Sequence, residues 1–248
     1  MTLVDKWLGR LFDSLKAQGL WDDTMIVVTS DHGQPMGSGE HGHGLMRKCR
    51  PWPYEELVHV PLLVHVPGLQ GGKRISSFVQ NVDITATMLD ALGMGLEALQ
   101  EAGHEGIHTY AVDDMHGISL LPAMRGETDT VRDFAIAGYY GMSWSIIDHD
   151  YSYIHWLQKE IDTDAMNRVF YDGSGKGGNA GAQSAKLEMK EEMWTCVPGA
   201  EVTVPQTDEL YDRRTDPFQL HNIIDQQPEK ARELLQKLKL HIGELRTT

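Results

Sequence analysis

The 248 residues carry 22 Lys and Arg against 36 Asp and Glu, a formal net charge of -14, with 41% hydrophobic residues and two cysteines. That length supports one large or two modest domains with a real core, and the acidic balance argues against nucleic-acid backbones or anionic membranes as general partners. Cys49 and Cys196 make no disulfide framework, no apolar run is long enough for a membrane span, and the first residues do not form a signal peptide.

In chain order, Leu3, Val4, Trp7, Leu8, Leu11, Phe12 and Leu15 recur at helical spacing, so residues 2–18 are predicted as an amphipathic helix closed by Gly19. Met25 to Thr29 is a Val-rich run of strand length that ends in Ser30-Asp31-His32-Gly33. In an open α/β sheet the crevice lies outside the carboxyl ends of the strands, which is where Asp31 and His32 would project. Adjacent strand side chains face opposite ways, so both reach one ion only if the backbone turns there, and Gly33 permits a turn. We read Asp31 and His32 as metal ligands; an Asp capping the next helix beside an incidental His is the competing reading. Arg47, Lys48 and Arg50 follow as a local basic trio, suited to a small anionic group.

Leu57 to Val66 alternates apolar residues through Pro61 and is predicted as a strand near a sheet edge, with His59 and His65 bonded locally. Asp83 is predicted to cap a helix over Ile84 to Leu92, ended by Gly93. Residues 94–116 form a polar insertion whose His104, His108 and His116 lack paired ligand spacing. Beyond Arg132 the period becomes two: Phe134 to Tyr140, Met142 to Ile147 and Tyr151 to Leu157 are expected as antiparallel strands, the last two joined around Asp148-His149-Asp150. Residues 172–182 read as a flexible Gly-rich loop, and Gly173-Ser174-Gly175-Lys176-Gly177 fails the phosphate-loop pattern. Lys186 to Met193 is expected to be a charged helical turn or two. Leu210 to Asp212 reads as a strand before a turn, and Pro228 opens an amphipathic helix through Leu245 whose stripe is core.

The ordered set Thr29-Ser30-Asp31-His32-Gly33, Gly39-Glu40-His41-Gly42, Lys48, Tyr54-Glu55 and Val60-Pro61-Leu62 resembles the sulfatase family of the alkaline-phosphatase-like superfamily. The likeness continues in Asn81 to Thr87, Gly117 to Pro122, Glu209-Leu210-Tyr211-Asp212 and Asp216-Pro217. It implies an α/β chain: the C-terminal part of an α/β/α sandwich over residues 1–130, then a smaller antiparallel-sheet-plus-helix subdomain over 131–248. The family's N-terminal Cys/Ser-x-Pro-x-Arg motif, whose first residue matures to formylglycine, has no counterpart here. Cys49-Arg50-Pro51-Trp52-Pro53 and Cys196-Val197-Pro198-Gly199-Ala200 both lack the Arg. The chain is therefore expected to be a C-terminal portion whose partner is the missing N-terminal half, carrying the nucleophile and further acidic ligands.

The resemblance implies metal-dependent hydrolysis of a small-molecule or saccharide sulfate ester. Asp31 and His32 would hold a divalent ion, Ca²⁺ by resemblance, although an imidazole ligand leaves Mn²⁺ open. Lys48 would pair with a sulfate oxygen and His41 or His43 would hydrogen-bond or protonate the leaving group. In much of the family the Lys stands four residues before the Tyr; here Lys48 stands six before Tyr54 and Arg50 stands four, so either is a candidate. Phosphonate or phosphate ester hydrolysis is the enzymatic alternative, and a non-catalytic metal- or anion-binding module is the alternative outside enzymes.

Overall fold

The computed structural model describes residues 2–37, 42–43, 45–46, 52–94, 116–139, 143–157, 186–190, 193–197 and 207–245. The predicted loop at 172–182, nearly all of the insertion at 94–116, and the residues His41, Lys48, Cys49 and Arg50 lie outside them. Two compact units emerge: residues 1–30 with 61–131, and residues 31–60 with 132–248. Among the described residues no helix is long and apolar enough to cross a membrane.

In the first unit, α1 (Thr2–Ala17) ends where predicted, with Gly19 in the left-handed region at φ 70° and the Leu20 amide donating to the Leu15 carbonyl. No residue of α1 is buried, and its Leu3, Val4, Trp7 and Leu11 are exposed. Strand β1 (Ile26–Thr29) pairs antiparallel with β4 (Leu62–His65), Val27 opposite Val64. His65 is a strand residue as expected, but its partner is 44 residues away: Nε2 donates to the Trp21 carbonyl at 3.2 Å and the two rings stack at 4.3 Å.

Helix α3 (Val82–Ala91) closes this unit against α4 (Leu121–Arg125). Its cap is more than the sequence suggests. Asp83 lies inside the first turn, fully buried, and its carboxylate accepts from the Gln80 amide at 2.7 Å and from the Ile118 amide at 2.8 Å. One oxygen thus satisfies the helix entry and the other ties down the Gly117-to-Leu120 strap. Thr87 extends the tie: its hydroxyl donates to the Asp83 carbonyl at 2.6 Å and accepts from the Leu120 amide at 2.9 Å.

The second unit is built on a four-stranded antiparallel sheet ordered β10-β7-β6-β5, from β5 (Ala135–Tyr139), β6 (Ser143–Ile147), β7 (Tyr151–Trp156) and β10 (Glu209–Asp212). The β6–β7 turn falls at the expected Asp-His-Asp, where Asp148 Oδ1 accepts from the amides of Asp150 (2.9 Å) and Tyr151 (2.7 Å). Both faces of the sheet are covered, which is what the period-two pattern with apolar residues at odd and even positions requires. Ile146, Tyr153 and Leu210 pack under Ala231, Leu234 and Leu238 of α5 (Pro228–Leu245). On the opposite face Ile154, Trp156 and Tyr211 pack under Trp52 and Tyr54, from the segment that follows the Asp-His-Gly motif. The C-terminal sheet is the platform on which that segment is laid.

Asp208, just before β10, fastens β7: its carboxylate accepts from the Tyr153 hydroxyl (2.6 Å), His155 Nδ1 (2.9 Å) and the Trp156 amide (2.9 Å). Burial pushes this carboxyl up, but the hydrogen bonds from His155, Tyr153 and Trp156 and the His155 charge outweigh it, so its pKa lies below the ordinary value. A depressed pKa contributes stability that is present above the unfolded value of about 4 and is lost as pH falls through the folded one. We expect the urea midpoint to drop steeply on that acid limb and the drop to shrink in Asp208→Asn; an unchanged limb in the variant would remove Asp208 from the account.

Two sequence expectations are corrected. Residues 57–58, expected in a strand with 59–66, are helical: α2 (Glu55–Val58) comes first and β4 starts only at Leu62. Lys186 to Met193, expected as helical turns, is instead a strand β8 (Lys186–Lys190) paired antiparallel with β9 (Met193–Val197), Lys186 opposite Val197. Charge pattern reports which residues tolerate water, and a strand can carry charged residues as well as a helix can.

Candidate functional site

The chain leaves β1 at Thr29 and turns at Ser30, so Asp31 and His32 do not continue a strand. Their side chains converge rather than diverge. Asp31 Oδ2 lies 3.4 Å from His32 Nε2, and the His32 amide donates to Asp31 Oδ1 at 3.0 Å. His32 Nδ1 is 2.7 Å from the Gly33 carbonyl oxygen, which only accepts, so Nδ1 carries a proton and Nε2 is the nitrogen turned toward Asp31. Asp31 is 81% exposed and His32 28%, placing a carboxylate and an imidazole nitrogen side by side at the surface.

Gly33 holds this pair in place, though not through the turn-permitting conformation expected of it; it is not among the residues with positive φ. Its amide donates to the Leu57 carbonyl at 2.7 Å, and a Cβ at this position would overlap the Glu56 carbonyl oxygen and stand 2.9 Å from its carbon. The glycine is required because the α2 backbone approaches too closely for any side chain.

α2 is itself assembled from distant residues. Tyr54 is its N-cap and supplies no side-chain bond; the Glu55 amide instead donates to Gln219 Oε1 at 2.6 Å. Gln219 also donates from Nε2 to Ser152 Oγ at 2.6 Å, and its carbonyl oxygen meets His43 Nε2 at 2.7 Å. The other His43 nitrogen, Nδ1, meets Glu56 Oε1 at 2.8 Å, and the ring stacks on Tyr54 with centroids 3.6 Å apart and planes 2° from parallel. His43 comes from the connection between β2 (Met36–Gly37) and β3 (Leu45–Met46), so this contact carries the hairpin.

Beneath lies a buried acid among phenols. The Tyr54 hydroxyl donates to both Glu209 oxygens, at 3.2 and 3.3 Å. Burial pushes the Glu209 carboxyl up, against the pull of the Tyr211 and Tyr54 bonds. Burial and the Glu209 charge raise both phenols, so Tyr54 and Tyr211 remain neutral donors. At the outer edge Glu55 accepts from His59 Nδ1 at 2.7 Å and lies 3.6 Å from an Arg213 nitrogen. Burial raises Glu55, but these two cations more than reverse it and hold its carboxyl low.

Of the sequence-predicted site residues, the structure brings Asp31 and His32 together, and places His43 in the clamp with Glu56 and Gln219. Among the described residues no group of three or more His, Cys, Asp or Glu side chains is gathered for a metal ion. The two donors at Asp31 and His32 fit part of a divalent shell: a hard carboxylate beside an imidazole whose tautomer is set by its Gly33 bond. Sequence reasoning missed Gln219, whose only signal was its place three residues after Asp216, within the Asp216-Pro217 turn that the resemblance singled out.

The sequence model of the sulfatase family matches residues 1–94. The extracellular sulfatase SULF-1 homolog of Drosophila melanogaster is 37% identical over 130 residues, 52% of this chain and 10% of its own length. Arylsulfatase K of Bos taurus is 27% identical over 238 residues, 95% of this chain and 34% of its own. A solved structure described as a complex with the substrate D-glucosamine-2-N,6-O-disulfate aligns over 99% of this chain and 39% of its own, with TM-score 0.61 and 24% identity. Phosphonate monoester hydrolase of Agrobacterium radiobacter aligns over 98% of this chain and 39% of its own, with TM-score 0.59 and 22% identity. At these identities the two structures speak to the fold, which is the expected alkaline-phosphatase-like α/β architecture. The chain spans about a third of the length of arylsulfatase K.

Proposed function

Because the chain resembles the C-terminal part of the sulfatases, its residues 1–94 matching the family's model, we propose that it supplies the metal- and anion-binding side of a sulfuric ester hydrolase. The observation that carries this reading is the convergence of Asp31 and His32 at 3.4 Å on a backbone stitched to α2. A divalent ion held there, Ca²⁺ or Mn²⁺, would neutralise charge on the sulfate oxygens. Lys48 or Arg50 would add a cation to the same oxygens, and His41 would hydrogen-bond the leaving oxygen. His43, with both ring nitrogens facing acceptors, serves better to position the loop than to move a proton.

The nucleophile of the family pattern, a formylglycine, would come from a further part of the fold, as would the remaining ligands. The exposed apolar face of α1 supports a docking role toward that part: Leu3, Val4, Trp7 and Leu11 are a stripe that water covers at a cost. A sulfated saccharide is the substrate class, following the glucosamine disulfate bound by a protein of the same fold.

The test has two arms. Calorimetric titration of the chain with Ca²⁺ and with Mn²⁺ should show a site that Asp31→Ala weakens by about tenfold or more. Equal binding by wild type and variant would remove Asp31 from the site. In a protein joined to the N-terminal part of the fold, aryl sulfate turnover should exceed turnover of an aryl phosphonate ester and disappear in Asp31→Ala. Faster phosphonate turnover would transfer the reading to the sibling reaction, and metal binding without turnover would leave a non-catalytic module.

A further inference from the structure

We propose that His43 is a positioning residue that works as an imidazolium: with Glu56 and Gln219 it forms a proton-dependent clamp seating the β2–β3 connection and α2 on the C-terminal sheet. The inference goes beyond the proposed hydrolysis and stands or falls without it.

Both ring nitrogens of His43 face acceptors. Nδ1 lies 2.8 Å from a Glu56 carboxylate oxygen and Nε2 lies 2.7 Å from the Gln219 carbonyl oxygen. An ionised carboxylate and a carbonyl only accept, and a neutral imidazole has a single N–H, so the neutral ring would turn a lone pair onto one of the two oxygens. Only the imidazolium donates to both. Among the described residues, the groups that act on the ring favour that charge: Glu56 from α2, the Tyr54 face stacked flat at 3.6 Å, and Glu209 from β10. The nearby cations Arg213 and His59 are engaged by Glu55.

Gln219 makes the acceptor side stiff. It is the one residue other than glycine with positive φ among the described residues, at 58°, and it is almost fully buried. A left-handed backbone is unfavourable for a Gln, and here it lets the carbonyl meet His43 while the amide group bridges the Glu55 amide and Ser152. The side chain fastens α2 to β7 and the main chain fastens His43, so one residue from the far end of the sequence holds both walls of the loop.

Burial alone would lower the His43 pKa; the Glu56 bond, the Gln219 carbonyl and the Glu56 and Glu209 charges together raise it above the ordinary value. Burial raises Glu56, and the His43 bond and charge lower it overall. A raised histidine contributes stability that is complete below its unfolded pKa and is lost as pH rises through the folded one. A depressed carboxylate contributes stability that is lost as pH falls through its folded one. The clamp is therefore tightest between the two.

Long-range ¹⁵N–¹H NMR of the histidine rings in the whole chain, followed over pH, tests this directly. His43 should titrate above about 6.5, the ordinary histidine value, and carry protons on both ring nitrogens on the acid side of that midpoint. Glu56→Gln should move that midpoint down. A midpoint at or below the ordinary value, or a ring that keeps a single proton on the acid side of it, would overturn the proposal, and this reading needs no variant to fold. The second readout is the urea midpoint of wild type against pH. It should fall as pH rises through the His43 midpoint, and the fall should be smaller in His43→Gln; the same slope in both proteins would show that the proton does not hold the clamp.

Discussion

Gly33→Ala is expected to cost about 3 kcal/mol of stability, the upper end for inserting one carbon into a packed site, and to abolish the divalent-ion binding proposed for Asp31 and His32. The new Cβ would overlap the Glu56 carbonyl oxygen and stand 2.9 Å from its carbon and 3.1 Å from the Leu57 Cα. All three atoms are backbone, so no side chain can swing aside. Relief requires that α2 and the Asp-His-Gly segment separate, which breaks the Gly33-to-Leu57 hydrogen bond and moves both candidate ligands. Gly243→Ala is the matched control: it lies in α5 with nothing within 4 Å of its Cβ position, and alanine there should be neutral or stabilising by about 0.5–1 kcal/mol. Urea unfolding of both variants, with calorimetric metal titration, decides the matter. A Gly33→Ala protein as stable as wild type would mean that α2 is not held against the motif.

Asp83→Ala should be comparably damaging, at about 3–5 kcal/mol, for an electrostatic rather than a steric reason. Two charge-assisted hydrogen bonds disappear at a fully buried position, each worth about 1.5–3 kcal/mol, and the Gln80 and Ile118 amides lose their acceptor. Asp83→Asn should recover part of the loss, since its one remaining oxygen satisfies a single amide while its NH₂ faces the other. Hydrogen exchange at Ile118 and Leu120 gives the local readout: protection should fall first there, in the strap tied to α3 by Asp83 and Thr87. Were the two variants equally stable, the second hydrogen bond would carry no weight.

The two substitutions bracket what a sequence reader sees. Asp83 was legible as a carboxylate at a helix start, but the N-cap position falls to Asn81, and Asp83 lies inside the first turn, where it accepts from the Gln80 amide ahead of the helix. Its second oxygen, on Ile118, was not, because that partner lies 35 residues on and leaves no local pattern. Gly33 was legible as a required glycine but for a different cause: sequence suggests the freedom of its φ, whereas the structure uses its missing side chain. The reading of Leu57 and Val58 as strand failed for a third reason. Alternating apolar residues describe a surface, and the helix that forms there is capped by a Gln219 side chain 164 positions away.

The sequence by itself determined the elements whose causes are local: the α1 stop at Gly19, the β1 run, the three C-terminal strands with their Asp-His-Asp turn, and the closing helix. It also carried the family likeness, because that rests on short ordered motifs, among them Thr29-Ser30-Asp31-His32-Gly33. Tertiary structure alone decided that residues 31–60 pack with the C-terminal sheet, that His43 is spent on Glu56 and Gln219, and that Glu209 is buried beneath Tyr54. Each of those depends on which distant groups meet in a water-poor space. There a carbonyl, a carboxylate and an imidazole fix one another's protonation and position, and no spacing along the chain encodes that meeting.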